Sequence, residues 1–258
     1  YIIDNIQQLL KLKYKNIYVI TNSEFIEKLD KFTSFIKIVN SDELNLQNIE
    51  KQSKLNRGRN GFWIYSSLRF YALYETMKKY NLSNCLHLEN DVLIYKNFED
   101  HEFQNKLYIT IDGFYGNRGS DYRCIPGIVY LPNVDVLKSI LDTFSNSKND
   151  MQNFGLYYKH NTDQCVTLPI IKQNSQYDVS DLYNQHYNEF EGIFDAAAMG
   201  QYLGGVDPRN IKGDSKGFVN ETCKIKMEKR NMKNGKWKSG KWKFGKWKVK
   251  INERKLID

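Results

Sequence analysis

Two carboxylates stand one residue apart within the segment NCLHLENDVLIY at 84–95. Glu89 and Asp91 follow residues 85–88, whose apolar character predicts a buried strand, and Asn90 separates them. Carboxylate oxygens at a strand end suit a divalent cation such as Mg²⁺ or Mn²⁺. A cation held there can bridge two phosphates and neutralise the charge growing on a nucleotide diphosphate leaving group. The pair therefore predicts a metal-dependent enzyme acting on a nucleotide-linked substrate, with a solvated turn as the alternative.

The elements that must position this pair follow an α/β pattern. Residues 15–22 and 35–39 are predicted strands with a helical segment between them, a β-α-β opening that indicates a parallel sheet. Ligands bind outside the carboxyl ends of strands in open α/β sheets, so Thr21 and Asn22 are expected near the carboxylates. Further strands are predicted at 84–88, 107–111 and 124–133, and helices at 134–144, 149–158 and from 162 onward.

A helix is predicted over residues 62–80, immediately before the acidic strand. Arg69 lies at the edge of its apolar face, where a fixed cation can contact a diphosphate or a sugar. The alternative for Arg69 is a side chain that extends from the helix edge into water. The apolar face recurs at spacings of three and four and consists of Phe62, Ser66, Phe70, Leu73, Met77 and Tyr80.

Charge divides the chain of 258 residues into two parts. From Lys224 onward there are 14 Lys or Arg and 3 Asp or Glu, which gives this tail a net charge of +11. Because the whole chain carries +8, the first 223 residues carry −3. We therefore expect a catalytic domain at 1–222 and a basic tail at 223–258. A Gly-Lys-Trp-Lys repeat of period five in the tail predicts β-structure packed on the body, or alternatively a surface for anionic or carbohydrate acceptors. No nucleic-acid-binding motif accompanies the charge, so nucleic acid is not expected.

Composition limits the environments in which we expect the protein. Apolar residues make up 41% of the chain, but no apolar run reaches the roughly 20 residues needed to span a bilayer. We expect a soluble domain in a host or bacterial cytoplasm, and since the chain begins at Tyr1 we expect it to be part of a longer protein. The four cysteines form no Cys-x-x-Cys pair, so they predict buried thiols and no cysteine zinc site.

Taken in order, these motifs resemble nucleotide-sugar glycosyltransferases of the GT-A fold over about residues 15–220. The segment LHLENDV at 86–92 resembles their Asp-x-Asp metal motif, with Glu in the first position. The helix of Arg69 resembles the family helix whose Arg or Lys commonly contacts the donor. Residues 126–130 resemble the strand that carries an Asn-Ala-Gly turn in glycogenin-like enzymes, and Thr162-Asp163-Gln164 resembles the Asp-Gln pair of those enzymes.

The resemblance implies a Rossmann-like mixed sheet flanked by helices, a UDP-sugar donor and a Mn²⁺ or Mg²⁺ cofactor. Thr21 and Asn22 would line the base pocket, and Asp91, helped by Glu89, would bind the metal. Asn90, between the two carboxylates, is counted with the cofactor-binding residues. Many family members supply a late His to the metal, and His186 is the candidate here.

The same resemblance suggests roles later in the chain. Asp163 and Gln164 would orient the sugar or stabilise positive charge at the anomeric carbon, with helix capping as the alternative. Residues 194–205 resemble a segment of viral and bacterial surface-polysaccharide transferases, and Asp195 within it is the candidate general base of an inverting reaction. The Asp-Gln pair favours retention and Asp195 favours inversion, so the stereochemistry stays open.

Two other functions remain possible from the sequence. A nucleotidyltransferase acting on sugar phosphates shares the sheet and metal, but it would carry a Gly-rich basic loop where this chain has Thr21-Asn22-Ser23-Glu24. A non-catalytic carbohydrate-binding module is the second alternative. The acceptor of a transferase would be a hydroxyl of a glycan, a polysaccharide or a glycoprotein.

Overall fold

The structure is a computed structural model whose chain divides into two compact units, residues 1–196 and 197–258. The second unit, including the basic tail and its predicted β-structure, lies outside the residues that the structure describes. The description covers residues 1–55, 58–114, 122–170 and 184–194.

The described residues form an α/β arrangement, which confirms the predicted fold class at that level. The helices are α1 (Ile2–Lys11), α2 (Ser23–Ile26), α3 (Gln47–Gln52), α4 (Gly58–Tyr80), α5 (Val134–Asp142), α6 (Asp150–His160) and α7 (Tyr187–Phe190). The strands are β1 (Ile17–Thr21), β2 (Ile36–Asn40), β3 (Cys85–Leu88), β4 (Leu107–Phe114), β5 (Tyr122–Leu131) and β6 (Cys165–Thr167).

These six strands form two sheets. β1 and β2 run parallel, with Ile17 opposite Ile36 and Thr21 opposite Asn40, as the β-α-β opening predicts. The second sheet has the order β3-β5-β4-β6, in which β5 is antiparallel to both neighbours and β6 is parallel to β4. This second sheet is mixed, as expected, and no described strand pairing joins it to β1 and β2.

The core of the second sheet lies against α4, α5 and α6. Apolar side chains that are almost fully buried fill the space between these layers, and removing them from water supplies the main stabilisation of the packing. They include Phe70, Met77, Leu107, Ile109, Val129, Leu131, Leu137, Ile140 and Phe154.

The predicted apolar face of α4 is confirmed in its middle and wrong at its ends. Phe70, Leu73 and Met77 are buried, whereas Phe62 is 52% exposed and Tyr80 is 38% exposed. The periodic pattern continues past the layer that the helix covers, and its last members contact only single rings, Phe62 that of Trp63 and Tyr80 that of Tyr18, among the described ring pairs.

Two further details differ from the sequence predictions. No α-helix begins at residue 162: Thr162–Gln164 forms a single 3₁₀ turn that leads directly into β6. β5 begins at Tyr122, two residues before the predicted start at 124, and continues through Pro126. No described helix is long and apolar enough to cross a membrane.

Candidate functional site

Glu89 directly follows β3 and continues its pairing with β5. Its main-chain N–H donates to the carbonyl of Gly127 at 2.8 Å, and its own carbonyl accepts from the N–H of Val92 at 3.0 Å. The chain therefore turns at residues 89–92, immediately beyond the last paired residue of the strand. This turn presents Glu89, which is partly exposed, and Asp91, which is exposed.

A bulge in β5 faces this turn. Val129 lies opposite Ile109 of β4, but the next paired residue of β5 is Ile125, opposite Thr110. Residues 126–128 therefore form three extra positions, where Pro126 is tolerated because a bulge needs no ladder N–H there. The Thr110 hydroxyl donates to the Ile125 carbonyl at 2.7 Å and ties the base of the bulge to β4. The extra residues turn main-chain carbonyls towards α4 and towards Glu89.

Arg69 of α4 joins the bulge, the acidic turn and α6. Its Nη1 pairs with Oε1 of Glu89, while its Nη2 donates to Oδ2 of Asp150 at 2.9 Å and to the Pro126 carbonyl at 3.1 Å. Burial lowers the pKa of Arg69, and the charges of Asp150 and Asp91 oppose that effect. The side chain does not extend into water; it is held by three partners, two of which are carboxylates.

Asp150 is the most enclosed carboxylate of this group, at 3% exposure. It is the first residue of α6, where its charge is favourably placed at the helix N-terminus. The helix start is fixed by a capping box between Asn149 and Gln152. The Ser66 hydroxyl donates to Oδ1 of Asp150 at 3.3 Å. Burial raises the pKa of the Asp150 carboxyl, and the Arg69 guanidinium acts in the opposite direction.

The first helix holds the acidic turn from the other side. Asn5, which is 4% exposed, donates from Nδ2 to the carbonyls of Glu89 at 3.1 Å and Val92 at 2.9 Å. Gln8 donates from Nε2 to the Ile94 carbonyl at 2.9 Å. Sequence reasoning missed both residues and also Asp150. The one sequence signal for such a contact is an Asn among the apolar positions of an amphipathic helix.

A cavity of about 1910 Å³ opens between β1 and β3 and reaches this turn. Three residues that line it carry buried polar atoms without a hydrogen-bond partner among the described residues: Oδ1 of Asn5, Nε of Arg69 and Nε2 of His87. Buried polar atoms are normally paired, so these three atoms are exceptions in this part of the structure. Other polar residues lining the cavity include Asn22, Asp42, Tyr65, Glu89, Asn90 and Asp91.

The end of β1 contributes Asn22 to the cavity but not Thr21. Asn22 precedes α2, and its side chain makes no capping hydrogen bond. Beside it, Asp42 accepts from the Ser23 N–H at 2.9 Å and from the Ser23 hydroxyl at 2.6 Å, which lowers the pKa of Asp42. These bonds join the carboxyl ends of β1 and β2, so Asn22 has a defined place at the cavity.

Asp163 and Gln164 lie away from the acidic turn. They precede Cys165, which pairs with Leu107 at the start of β4, whereas Glu89 follows the opposite end of the sheet. Both are exposed, and Gln164 donates to Asp163 at 2.9 Å. The structure therefore does not bring this pair to Glu89 and Asp91.

His186 has a different partner from the one predicted. Its Nδ1 lies 2.9 Å from Oε2 of Glu189, whose Oε1 is 3.3 Å from Nε2 of His101. In the described part of the chain, no group of three or more His, Cys, Asp or Glu side chains is arranged to hold a metal ion, so His186 does not complete such a group with Glu89 and Asp91. Asp195 lies outside the described residues.

Of the predicted site residues, the structure thus places Asn22, Arg69, Glu89, Asn90 and Asp91 around one cavity. Glu89 and Asp91 provide an all-oxygen donor pair, to which a substrate's phosphates could add the remaining ligands of a cation. No protein-family model, curated protein or solved structure matches this chain.

Proposed function

We propose that this chain is a Mn²⁺- or Mg²⁺-dependent glycosyltransferase of the GT-A type, which moves a sugar from a UDP-sugar to a hydroxyl of a glycan, polysaccharide or glycoprotein. The observation that carries the proposal is the position of Glu89 and Asp91, just beyond the end of β3 and lining a cavity that also contains Asn22 from the end of β1. A nucleoside at the end of β1 and its diphosphate at the end of β3 would lie in one continuous cavity.

The charges around the turn favour a cation. Glu89, Asp91 and Asp150 contribute three carboxylates, and Arg69 contributes one guanidinium. When all are ionised the group carries a net charge of −2, which attracts a divalent cation and is neutralised by it. Asp91 and the Glu89 oxygen that does not face Arg69 would hold the ion. When bound, the cation supplies the positive charge that stabilises the departing diphosphate.

Arg69 has a different part in this proposal from the one its sequence position implies. Its two terminal nitrogens contact Glu89, Asp150 and the Pro126 carbonyl, so they orient the acidic turn and do not reach towards a donor. Asn22 remains the candidate for the base pocket. Asp195 remains the candidate general base, whereas Asp163 and Gln164 are not used because they lie at the other end of the sheet.

Titration calorimetry of UDP with and without Mn²⁺ tests the proposal. We expect UDP binding that requires the metal, and metal-independent or absent binding would overturn the metal role. Release of free sugar from a panel of UDP-sugars then separates a transferase from a carbohydrate-binding module. Incubation with UTP and a sugar 1-phosphate separates it from a nucleotidyltransferase, which would release pyrophosphate.

A further inference from the structure

One guanidinium connects two carboxylates that come from different layers of the fold. Arg69 on α4 contacts Glu89 after β3 through Nη1 and Asp150 at the start of α6 through Nη2. A planar guanidinium has a rigid donor geometry, so fixing one terminal nitrogen restricts the position of the other. The carboxylate that fixes it is the buried one, since the side chain of Asp150 is 5% exposed and that of Glu89 is 36% exposed.

Asp150 is itself held by contacts unrelated to the acidic turn. The hydroxyl of Ser66, one helical turn before Arg69, is shared between the Trp63 carbonyl at 3.0 Å and Oδ1 of Asp150 at 3.3 Å, which leaves Oδ2 of Asp150 for the guanidinium. The capping box of α6 fixes the main chain at this point. Asp150 is therefore held rigidly. Of the three side chains in contact, Asp150, Arg69 and Glu89, it is the Glu89 carboxylate that has room to move.

We propose that Asp150 is a positioning residue for the cation pair: it fixes Arg69, which fixes one oxygen of Glu89 and leaves the other oxygen, together with Asp91, for the cation. This inference rests on the proposed metal-dependent function. The space around the free oxygen is narrow, because a Cβ at Gly127 would lie only 3.1 Å from Oε2 of Glu89. A small rotation of the carboxylate would thus change where the cation can sit.

Charge gives Asp150 a second effect on the same site. A guanidinium beside a cation site repels the cation, and the Asp150 carboxylate offsets that repulsion. If Asp150 were neutral, the positive charge of Arg69 would be compensated by Glu89 and Asp91, the two proposed ligands, at the expense of cation binding. Without Arg69, in contrast, a buried Asp150 would favour its neutral form and lose its influence. The effects of changing the two residues must therefore be non-additive.

Binding of Mn²⁺ alone to the whole chain, measured by calorimetry without nucleotide, tests the inference. Asp150→Asn preserves the shape of the side chain, and we expect it to weaken Mn²⁺ binding about tenfold because it removes one nearby negative charge. Asp142→Asn is the matched control, since Asp142 is an exposed acid paired with Lys138 on α5, and we expect it to leave the Mn²⁺ affinity unchanged. In an Arg69→Met background, Asp150→Asn should have no further effect.

The outcomes separate the two proposals. Mn²⁺ binding that survives Asp91→Asn would remove the metal site and the proposed function with it. Loss of binding in Asp91→Asn with unchanged affinity in Asp150→Asn would overturn only the role of Asp150. An equal loss from Asp150→Asn with and without Arg69 would also overturn it, because the effect would not pass through the guanidinium.

Ser66→Ala provides a second route if Asp150→Asn does not fold. It removes the hydroxyl that orients Asp150 and leaves every charge in place. We expect Mn²⁺ affinity to fall by only about twofold to threefold, because the hydroxyl contact with the carboxylate is long and shared with the Trp63 carbonyl. Unchanged affinity in a folded Ser66→Ala protein would contradict the positioning role.

Discussion

Asn5 in the first helix donates its side-chain amide to the main-chain carbonyl of Glu89 at 3.1 Å, across 84 residues of chain. The same amide nitrogen donates to the carbonyl of Val92 at 2.9 Å. One buried side chain therefore binds both ends of the acidic turn through its main chain. The carboxylates at 89 and 91 are left free of this contact, so α1 supports the turn without competing for a ligand.

Asn5→Ala should destabilise the protein and weaken its cation binding together. The change removes two hydrogen bonds, one to the Val92 carbonyl and one to the Glu89 carbonyl, which keeps its bond from the Val92 N–H. We expect this loss to cost about 2 kcal/mol in the free energy of unfolding. Gln8→Ala is the comparison, since it removes one bond to the Ile94 carbonyl and should cost about 1 kcal/mol. Urea unfolding and Mn²⁺ calorimetry measure the two effects. Equal costs for the two variants would show that the double contact of Asn5 has no special weight.

Asp91→Asn should remove metal-dependent turnover and leave the fold intact. Asp91 is exposed, so we expect the free energy of unfolding to change by less than about 0.5 kcal/mol. Sugar release from the UDP-sugar that the wild-type protein accepts should fall to the background rate. Asp142→Asn removes the same charge elsewhere and should retain full turnover. Wild-type turnover in Asp91→Asn would contradict the assignment of Asp91 as a ligand.

Gly127→Ala should disturb Glu89 by contact alone. The new Cβ would lie 3.1 Å from Oε2 of Glu89 and 3.5 Å from a methyl of Val92. The carboxylate can move away, so the cost in unfolding free energy should be about 1 kcal/mol or less, whereas Mn²⁺ affinity should fall clearly.

Gly192→Ala is the control for Gly127→Ala, because a Cβ at Gly192 has its nearest neighbour, the Phe190 carbonyl oxygen, at 3.7 Å. It should change neither quantity. If Gly127→Ala binds Mn²⁺ as the wild-type protein does, the oxygen of Glu89 that faces Gly127 is not a ligand.

His87 should make the metal-free protein sensitive to acid. Burial, with a smaller effect of Arg69, lowers its pKa from 6.5 to about 3. The folded state therefore disfavours protonation of His87. The stability that neutral His87 contributes is complete above pH 6.5 and is lost progressively as the pH falls towards 3. The slope is about 1.4 kcal/mol per pH unit for one proton.

The His87 contribution can be isolated with His87→Phe, which keeps a ring against Phe70. Urea unfolding in the presence of a chelator, at several pH values between 7 and 4, should show a shallower pH dependence for this variant. The same slope in both proteins would mean that His87 titrates normally in the folded state.

The local order of elements could be predicted from the sequence, whereas the contacts of the site could not. Alternation and apolar runs placed β1, β2 and β3 within one or two residues, because burial on a strand leaves a short-range pattern. The helix of Arg69 was also evident from spacing. That Arg69 would turn to Glu89 and Asp150 depends on a bulge in β5 and on where α6 begins, and neither leaves a pattern near residue 69.

The predicted site residues that lie elsewhere in the structure are far from the acidic turn in the sequence. The order of motifs along the chain predicts that Asp163 and Gln164 lie close to the acidic turn. That order does not determine which end of a sheet a residue occupies. That depends on the direction of β6, which runs parallel to β4 and so begins at the far edge. His186 contacts Glu189, three residues later, and Glu189 in turn contacts His101, which is distant in the sequence. The sequence gives no indication of this second contact.

The bulge at residues 126–128 makes the site depend on the length of β5 more than on its composition. The contacts to Arg69 and Glu89 come from the carbonyls of Pro126 and Gly127, which any residue would supply. Deleting one residue here would instead shift every following position by one and exchange the two faces of the strand. Tyr130 would then point where Val129 now packs. Among related sequences, substitutions within this segment at positions other than Gly127 should therefore be tolerated more readily than insertions or deletions.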